Sequence, residues 1–223
     1  MSERSGVFDM IGPVMIGPSS SHTAGVVKIA QMAVRVLGGI PEQAEITFYN
    51  SFARTYEGHG SDRAVIGGLL NFATDDKRIK NSFDHAKEQG FEYSFKSIGN
   101  ASTMHPNTIK IEATKGEKKA LIIGESRGGG VIKITNVNSF DSNFSGALDT
   151  LIIQAEDKEG SIAFISSVLS QECNIATMFV SRKGKKQMAC QVIEIDHKLN
   201  QVTIDYLKSL SWIYDIIYIP IIS

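Results

Sequence analysis

Apolar positions along the chain change period repeatedly, and each change marks an element. In "TAGVVKIAQMAVRVLGG" (23–39), Val26, Ala30, Ala33, Val34 and Leu37 recur at helical spacing. Ser20 or Ser21 stands where this helix needs an N-cap, and Gly38-Gly39 ends the run. "AEITFYNSF" (44–52) is rich in β-branched and aromatic residues and predicts a strand. "SDRAVIGGLLNFA" (61–73) predicts a second helix, capped by Ser61 or Asp62. Its two internal glycines allow close packing at some cost in propensity. "SFDHAKEQG" (82–90) reads as a short helix ending at Gly90. The period then drops to two. "FEYSFKSI", "NTIKIEAT", "KKALIIGES" and "VIKITNVN" predict four strands, with "KGEK" as a hairpin turn and "RGGG" as a loop where backbone can approach a ligand. Helices grouped with about five strands point to an α+β class rather than alternating βαβ units.

The stretch "NVNSFDSNFSG" (136–146) is polar and turn-rich, and it reads as a linker. Beyond it the pattern restarts. A strand at 147–157 is followed by a helix at 159–172, with Ile162, Ile165, Val168 and Leu169 on one face. A hairpin around "KGK" (183–185), a helix at 200–210 and a closing strand at 213–222 complete a βαββαβ order, which is ferredoxin-like. The expected organisation is a mixed α/β domain over 1–140 and a small βαββαβ domain over 147–223.

Composition narrows the function classes. The 223 residues are 42% hydrophobic and 21% charged, with a formal net charge of −1. That balance gives no electrostatic case for nucleic acid or for an anionic membrane. No apolar run reaches the roughly 18 residues of a membrane span, and no leader is read at the N-terminus, so a cytoplasmic protein is expected. The two cysteines, Cys173 and Cys190, are too far apart for a Cys-x-x-Cys motif, and they read as buried free thiols. An iron–sulfur cluster normally takes about four thiolates, which this chain alone does not supply. No metal ligands are therefore assigned to it.

Candidate chemistry gathers in four turns. "GPSSSHTAG" (17–25) places Ser19, Ser20, Ser21, His22 and Thr23 at the start of the first predicted helix. Unpaired N–H groups and the positive dipole end make such a place an anion site, and the hydroxyls add donors. "EGHGSDRA" (57–64) frees the backbone around His59 and sets Ser61 at a second helix start. "MHPNT" (104–108) stiffens a turn with Pro106 and projects His105 and Asn107. "GESRGGG" (124–130) can cradle an anion. The chain has five histidines, and His22, His59 and His105 all lie in these turns. Imidazole titrates near neutrality and suits proton transfer. His85 and His197 sit in ordinary helical or turn contexts and read as surface residues. On these residues alone, both an enzyme and a non-catalytic amino-acid or hydroxy-acid sensor remain open.

Together "FDMIGPVMIGPSSSHTAG", "GHGSDRAVIGGLL", "HPNT" and "GESRGGG" resemble the β chain of the iron–sulfur-dependent bacterial L-serine dehydratases. The segment "AEDKEGSIAFISSVLSQECNIATMFVSR" resembles an ACT domain, an amino-acid-sensing ferredoxin-like module. The resemblance implies an N-terminal domain similar to the allosteric substrate-binding domains of some phosphoglycerate dehydrogenases. It implies a lyase that removes water and then ammonia from L-serine to give pyruvate. It also implies a [4Fe-4S] cluster ligated by a cysteine-bearing partner α chain, and self-association of β chains through the ACT domain. Carried onto this sequence, His22, His59 and His105 are the catalytic candidates, with His22 and His105 handling protons or contacting substrate and His59 supporting them. Ser19, Ser20, Ser21, Thr23, Ser61 and Asn107 are the substrate-binding ones. The chain departs from the family pattern at Ser61, where threonine is commoner, at Arg127, where isoleucine is usual, and at Glu159, where proline is usual.

Overall fold

The computed structural model describes residues 14–101, 103–185 and 187–222. Residues 8–13, which begin the first family motif, and Lys186, which opens the second strand of the predicted hairpin, lie outside them. The chain divides into two compact units, one ending at Asn138 and one starting at Ser139.

In the first unit α1 (Ala24–Leu37) is followed by β1 (Gln43–Tyr49), α2 (Asn50–Thr55), α3 (Ser61–Leu69), a 3-10 turn (Lys77–Asn81) and α4 (Ser82–Glu88). Then come β2 (Glu92–Ile98), β3 (Thr108–Lys115), β4 (Lys118–Gly128) and β5 (Val131–Val137). The strands lie in the order β2-β1-β3-β4-β5. β2 runs parallel to β1, because helices connect them, and β3, β4 and β5 form an antiparallel meander. One sheet face alternates into the core through Ile46, Phe48, Ile109, Ile111, Ile122 and Ile134, all fully buried. α1 lies across β3 and β4 and packs against α3, burying Ile29, Met32 and Leu37. Glycines make this approach possible. A Cβ at Gly68 on α3 would stand 2.6 Å from the Val27 carbonyl oxygen and 2.7 Å from the Ala30 Cβ on α1.

Three local expectations differ from the structure. The strand predicted over 44–52 stops at Tyr49. Asn50 turns into the left-handed region at φ 51° and starts the short helix α2. Second, Thr23, rather than Ser20 or Ser21, holds the N-cap position of α1, and it makes no side-chain capping bond. Gly60, at φ 71°, rather than Ser61 or Asp62, holds the N-cap position of α3. Third, the segment read as a linker contains a strand, β6 (Phe140–Phe144), whose residues alternate buried and exposed.

In the second unit β6 is followed by β7 (Asp149–Glu156), α5 (Ser161–Leu169), β8 (Ile175–Arg182), β9 (Met188–Ile195), α6 (Gln201–Lys208) and β10 (Ile213–Ile219). After β6 the element order is βαββαβ, as the periodicity predicts, and the sheet runs β10-β7-β9-β8, antiparallel throughout. Leu151, Ile153, Ile193 and Ile216 of the sheet pack with Ile165 and Leu169 of α5 and with Ile204 and Leu207 of α6. Cys173 and Cys190 are both buried free thiols. Among the described residues no helix is long and apolar enough to cross a membrane.

Candidate active site

The site is assembled in the first unit around α2. Its far end, at Thr55, receives the first two histidine turns. The turn before α1 folds back at Gly17, whose φ of 132° suits glycine and where a Cβ would meet the Thr23 hydroxyl at 2.4 Å. The Thr23 amide donates to the Ser19 carbonyl (2.8 Å) and the Gly25 amide to the Ser20 carbonyl (3.0 Å). This tight turn aims the side chains at His22. The hydroxyls of Ser21 and Ser19 lie 3.0 and 3.2 Å from His22 Nδ1, and 3.2 Å from each other. On the other side of the ring, His22 Nε2 lies 3.2 Å from Thr55 Oγ1. The ring packs edge-on against Phe52, with centroids 4.9 Å apart, and beside His59 at 4.6 Å.

His59 is held by the same residue. Its ring Nδ1 lies 3.1 Å from the Thr55 carbonyl oxygen, which also accepts from the His59 amide at 3.0 Å. Ser61 is fully buried, and its hydroxyl donates to the His22 carbonyl at 2.7 Å. It therefore joins the second turn to the first.

The third turn joins the near end of α2. The Pro106 carbonyl accepts from the amides of Ser51 (2.9 Å) and Phe52 (3.4 Å), which open that helix. The Asn50 side chain grips the preceding loop through the Ala101 amide (2.7 Å) and the Ala101 and Met104 carbonyls (3.0 Å each). His105 Nδ1 accepts from the Asn107 amide at 3.2 Å, and the Asn107 carbonyl accepts from Ser126 on β4. A six-residue helix is only about 9 Å long at 1.5 Å per residue, so α2 gathers all three histidine turns.

The glycine loop closes the group. Gly128, Gly129 and Gly130 all have positive φ, and the Gly129 amide donates to Ser20 Oγ at 3.2 Å. Arg127 pairs with Glu125. Beneath this loop, Thr23 and Ser126 are buried. Their hydroxyls have no protein hydrogen-bond partner among the described residues. Gly25 lies against Ser126, whose hydroxyl oxygen would stand 2.0 Å from a Cβ there.

Electrostatics keep two of the rings neutral. Burial, reinforced by the neighbouring His59, holds His22 below its ordinary value of 6.5. Burial and then the Arg127 guanidinium do the same for His105, against an opposing effect of Glu125. A neutral imidazole at neutral pH is a ready proton acceptor. The second unit holds an open cleft of about 830 Å³ bordered by Ser166, Ser170, Glu172, Cys173, Asn174 and His197. None of the residues singled out as site candidates lies there.

Residues 6–136 match the family model of the serine dehydratase beta chain. The chain belongs to the serine dehydratase β-chain family. It is 43% identical to the probable L-serine dehydratase beta chain of Bacillus subtilis, over 94% of this chain and 95% of that one. It is 39% identical to the L-serine dehydratase beta chain of Peptoniphilus asaccharolyticus, over 87% of this chain and 88% of that one. A more distant likeness, 26% identity, joins 72% of the chain to 30% of the D-3-phosphoglycerate dehydrogenase of Bacillus subtilis. In this member of the family, the sequence motifs single out the histidines and serines that meet. They miss Thr55, which touches two histidines. Ser126, buried beside Gly25, stands inside "GESRGGG", but nothing in that motif marks it as a site residue. "FART" carries no glycine or proline, and the importance of Thr55 comes only from which turns the sheet brings together.

The cluster named by the resemblance can be tested against the donors present. Among the described residues no group of three or more His, Cys, Asp or Glu side chains could hold a metal ion. Both thiols are buried in the second unit, and burial pushes Cys190 up to about 12. These donors do not fit an iron–sulfur cluster within this chain.

Proposed function

We propose that this chain is the β subunit of a two-chain L-serine dehydratase, a lyase that converts L-serine to pyruvate and ammonia, and that the turns around α2 form its share of the active site. One observation carries the reading. In a chain of this family, the ring of His22, its pKa lowered by burial and by His59, faces two serine hydroxyls at the start of a 14-residue helix and lies beside a second histidine. The relatives bear an enzyme's name, which favours a dehydratase over a sensor of the same build.

The chemistry divides among the residues as follows. The substrate carboxylate sits at the α1 N-terminus, met by the hydroxyls of Ser19, Ser20 and Ser21 and by the positive end of the dipole. Thr23 and Ser126 offer further buried hydroxyls below it. Asn107 presents its amide from the third turn. Ser61 serves the site by holding the His22 carbonyl. A neutral histidine takes the α-proton, and the electron pair left on Cα forms the Cα–Cβ double bond as the β-hydroxyl departs with a proton as water. The resulting enamine tautomerises to an imine, and hydrolysis of that imine gives pyruvate and ammonia. The Lewis acid that eases departure of the hydroxyl belongs, on this proposal, to the α chain's [4Fe-4S] cluster. The second unit is proposed to be the ACT domain, through which β chains associate, and the assembly to be cytoplasmic.

The test is to replace His22, His59 and His105 singly by Gln in the assembled enzyme. Losing a proton-transfer group costs roughly 10²–10⁴ in rate. At least one variant is expected to fall in that range, with its chain still folded. Near-full activity in all three ends the reading.

A further inference from the structure

We propose that Thr55 is a positioning residue that dictates which ring nitrogen carries the proton in both His22 and His59. The proposal rests on the reading of these two histidines as proton-handling groups. Thr55 has a single hydroxyl hydrogen. Its Oγ1 lies 2.9 Å from the Ser51 carbonyl oxygen one helical turn back, and it donates there. Toward His22 Nε2, at the longer distance of 3.2 Å, the same oxygen is left only to accept. Nε2 therefore carries the ring hydrogen. A neutral imidazole has one N–H, so Nδ1 is bare, and it is this bare nitrogen that faces Ser21 and Ser19.

The Thr55 carbonyl gives the opposite instruction to His59. A carbonyl oxygen can only accept, and it lies 3.1 Å from His59 Nδ1. In its neutral form His59 therefore keeps its hydrogen on Nδ1 and leaves Nε2 bare. Two neighbouring rings, with centroids 4.6 Å apart, thus hold opposite tautomers set by two oxygens of one residue. His105 follows a separate rule. Its Nδ1 accepts from the Asn107 amide, so its hydrogen sits on Nε2. Equivalent in the sequence, the three histidines become distinct in the fold. His22 turns a bare nitrogen to the serines, His59 presents a bare nitrogen of its own, and His105 presents an N–H. A base has to offer a bare nitrogen, so the wrong tautomer disables it even when the ring stays in place.

The experiment uses the full chain with ¹⁵N-labelled histidine, and long-range proton–nitrogen spectra that report which ring nitrogen is protonated. The wild type is expected to show His22 protonated on Nε2 and His59 on Nδ1. Thr55→Val removes the accepting hydroxyl but keeps the carbonyl. It should move the His22 proton toward Nδ1, where a serine oxygen can accept it, and leave His59 unchanged. Thr55→Ser should restore the wild-type pattern. In the assembled enzyme, Thr55→Val should lose roughly tenfold to a hundredfold in kcat while Thr55→Ser stays near wild type. A His22 proton on Nδ1 in the wild type overturns the proposal, as does an identical His22 pattern in wild type and Thr55→Val. So does a Thr55→Ser protein no closer to wild type than Thr55→Val. A wild-type chain with the expected tautomers but no serine turnover beside its partner removes the dehydratase reading and leaves the tautomer assignment standing.

Discussion

At His22 two effects act in one direction. Burial and the neighbouring His59 both lower its pKa from 6.5, so the ring is neutral when most histidines are beginning to charge. A base works only when neutral. With His22 or His105, both lowered, in the proposed role of base, the acid limb of kcat/KM, which reports the free enzyme, should lie below pH 6.5, with activity falling as pH drops through the lowered value. A pH–rate profile checks this, and a limb at or above pH 7 contradicts it. The histidines were legible in the sequence because glycine, proline and runs of serine surround them. Their distinction was not, because it depends on Thr55, 33 residues from His22 and one helical turn from His59, and on the direction of the Asn107 amide. Ser61 shows the same limit. Its place beside His59 suggested a substrate contact or a helix cap, whereas its hydroxyl is committed to the His22 carbonyl.

Among the elements, α2 and the α1–α3 crossing decide whether the site exists. α2 was hidden because "YNSF" continues the aromatic composition of β1, and only the left-handed turn at Asn50 separates them. β6 was hidden differently. Asn138 and Ser139 both take positive φ and make a tight turn, so polar residues that resembled a linker lead directly into a strand. Its alternation of Phe140, Ser142 and Phe144 was present in the sequence but outweighed by the surrounding turn residues. The long helix α1 and the βαββαβ order were legible because their periods run for many residues. The crossing yields a prediction with an unusual sign. Gly→Ala within a helix ordinarily stabilises by about 1 kcal/mol. At Gly68 the new methyl would press on the Val27 backbone and on Ala30, so Gly68→Ala should destabilise by about 1–3 kcal/mol. Chemical denaturation of the two proteins measures this, and a Gly68→Ala variant as stable as wild type would mean that α1 and α3 do not cross so closely.

For the molecule as a whole, the proposed function rests on a division of labour. The first unit gathers three histidines and several small hydroxyls around a short helix. Both cysteines lie buried in the second unit, and no metal-binding cluster is found among the described residues. Two thiols cannot by themselves hold a cluster that normally takes about four. On the proposed reading, the chain's own residues bind the amino acid and move its proton, and the group that draws off the hydroxyl belongs to the α chain. The most direct measurement is anaerobic conversion of L-serine to pyruvate, with iron and sulfide reconstituted, by this chain alone and by this chain mixed with a cysteine-rich α chain. The account predicts turnover only in the mixture. Turnover by this chain alone, or none in a mixture whose complex and cluster are both confirmed, would contradict it.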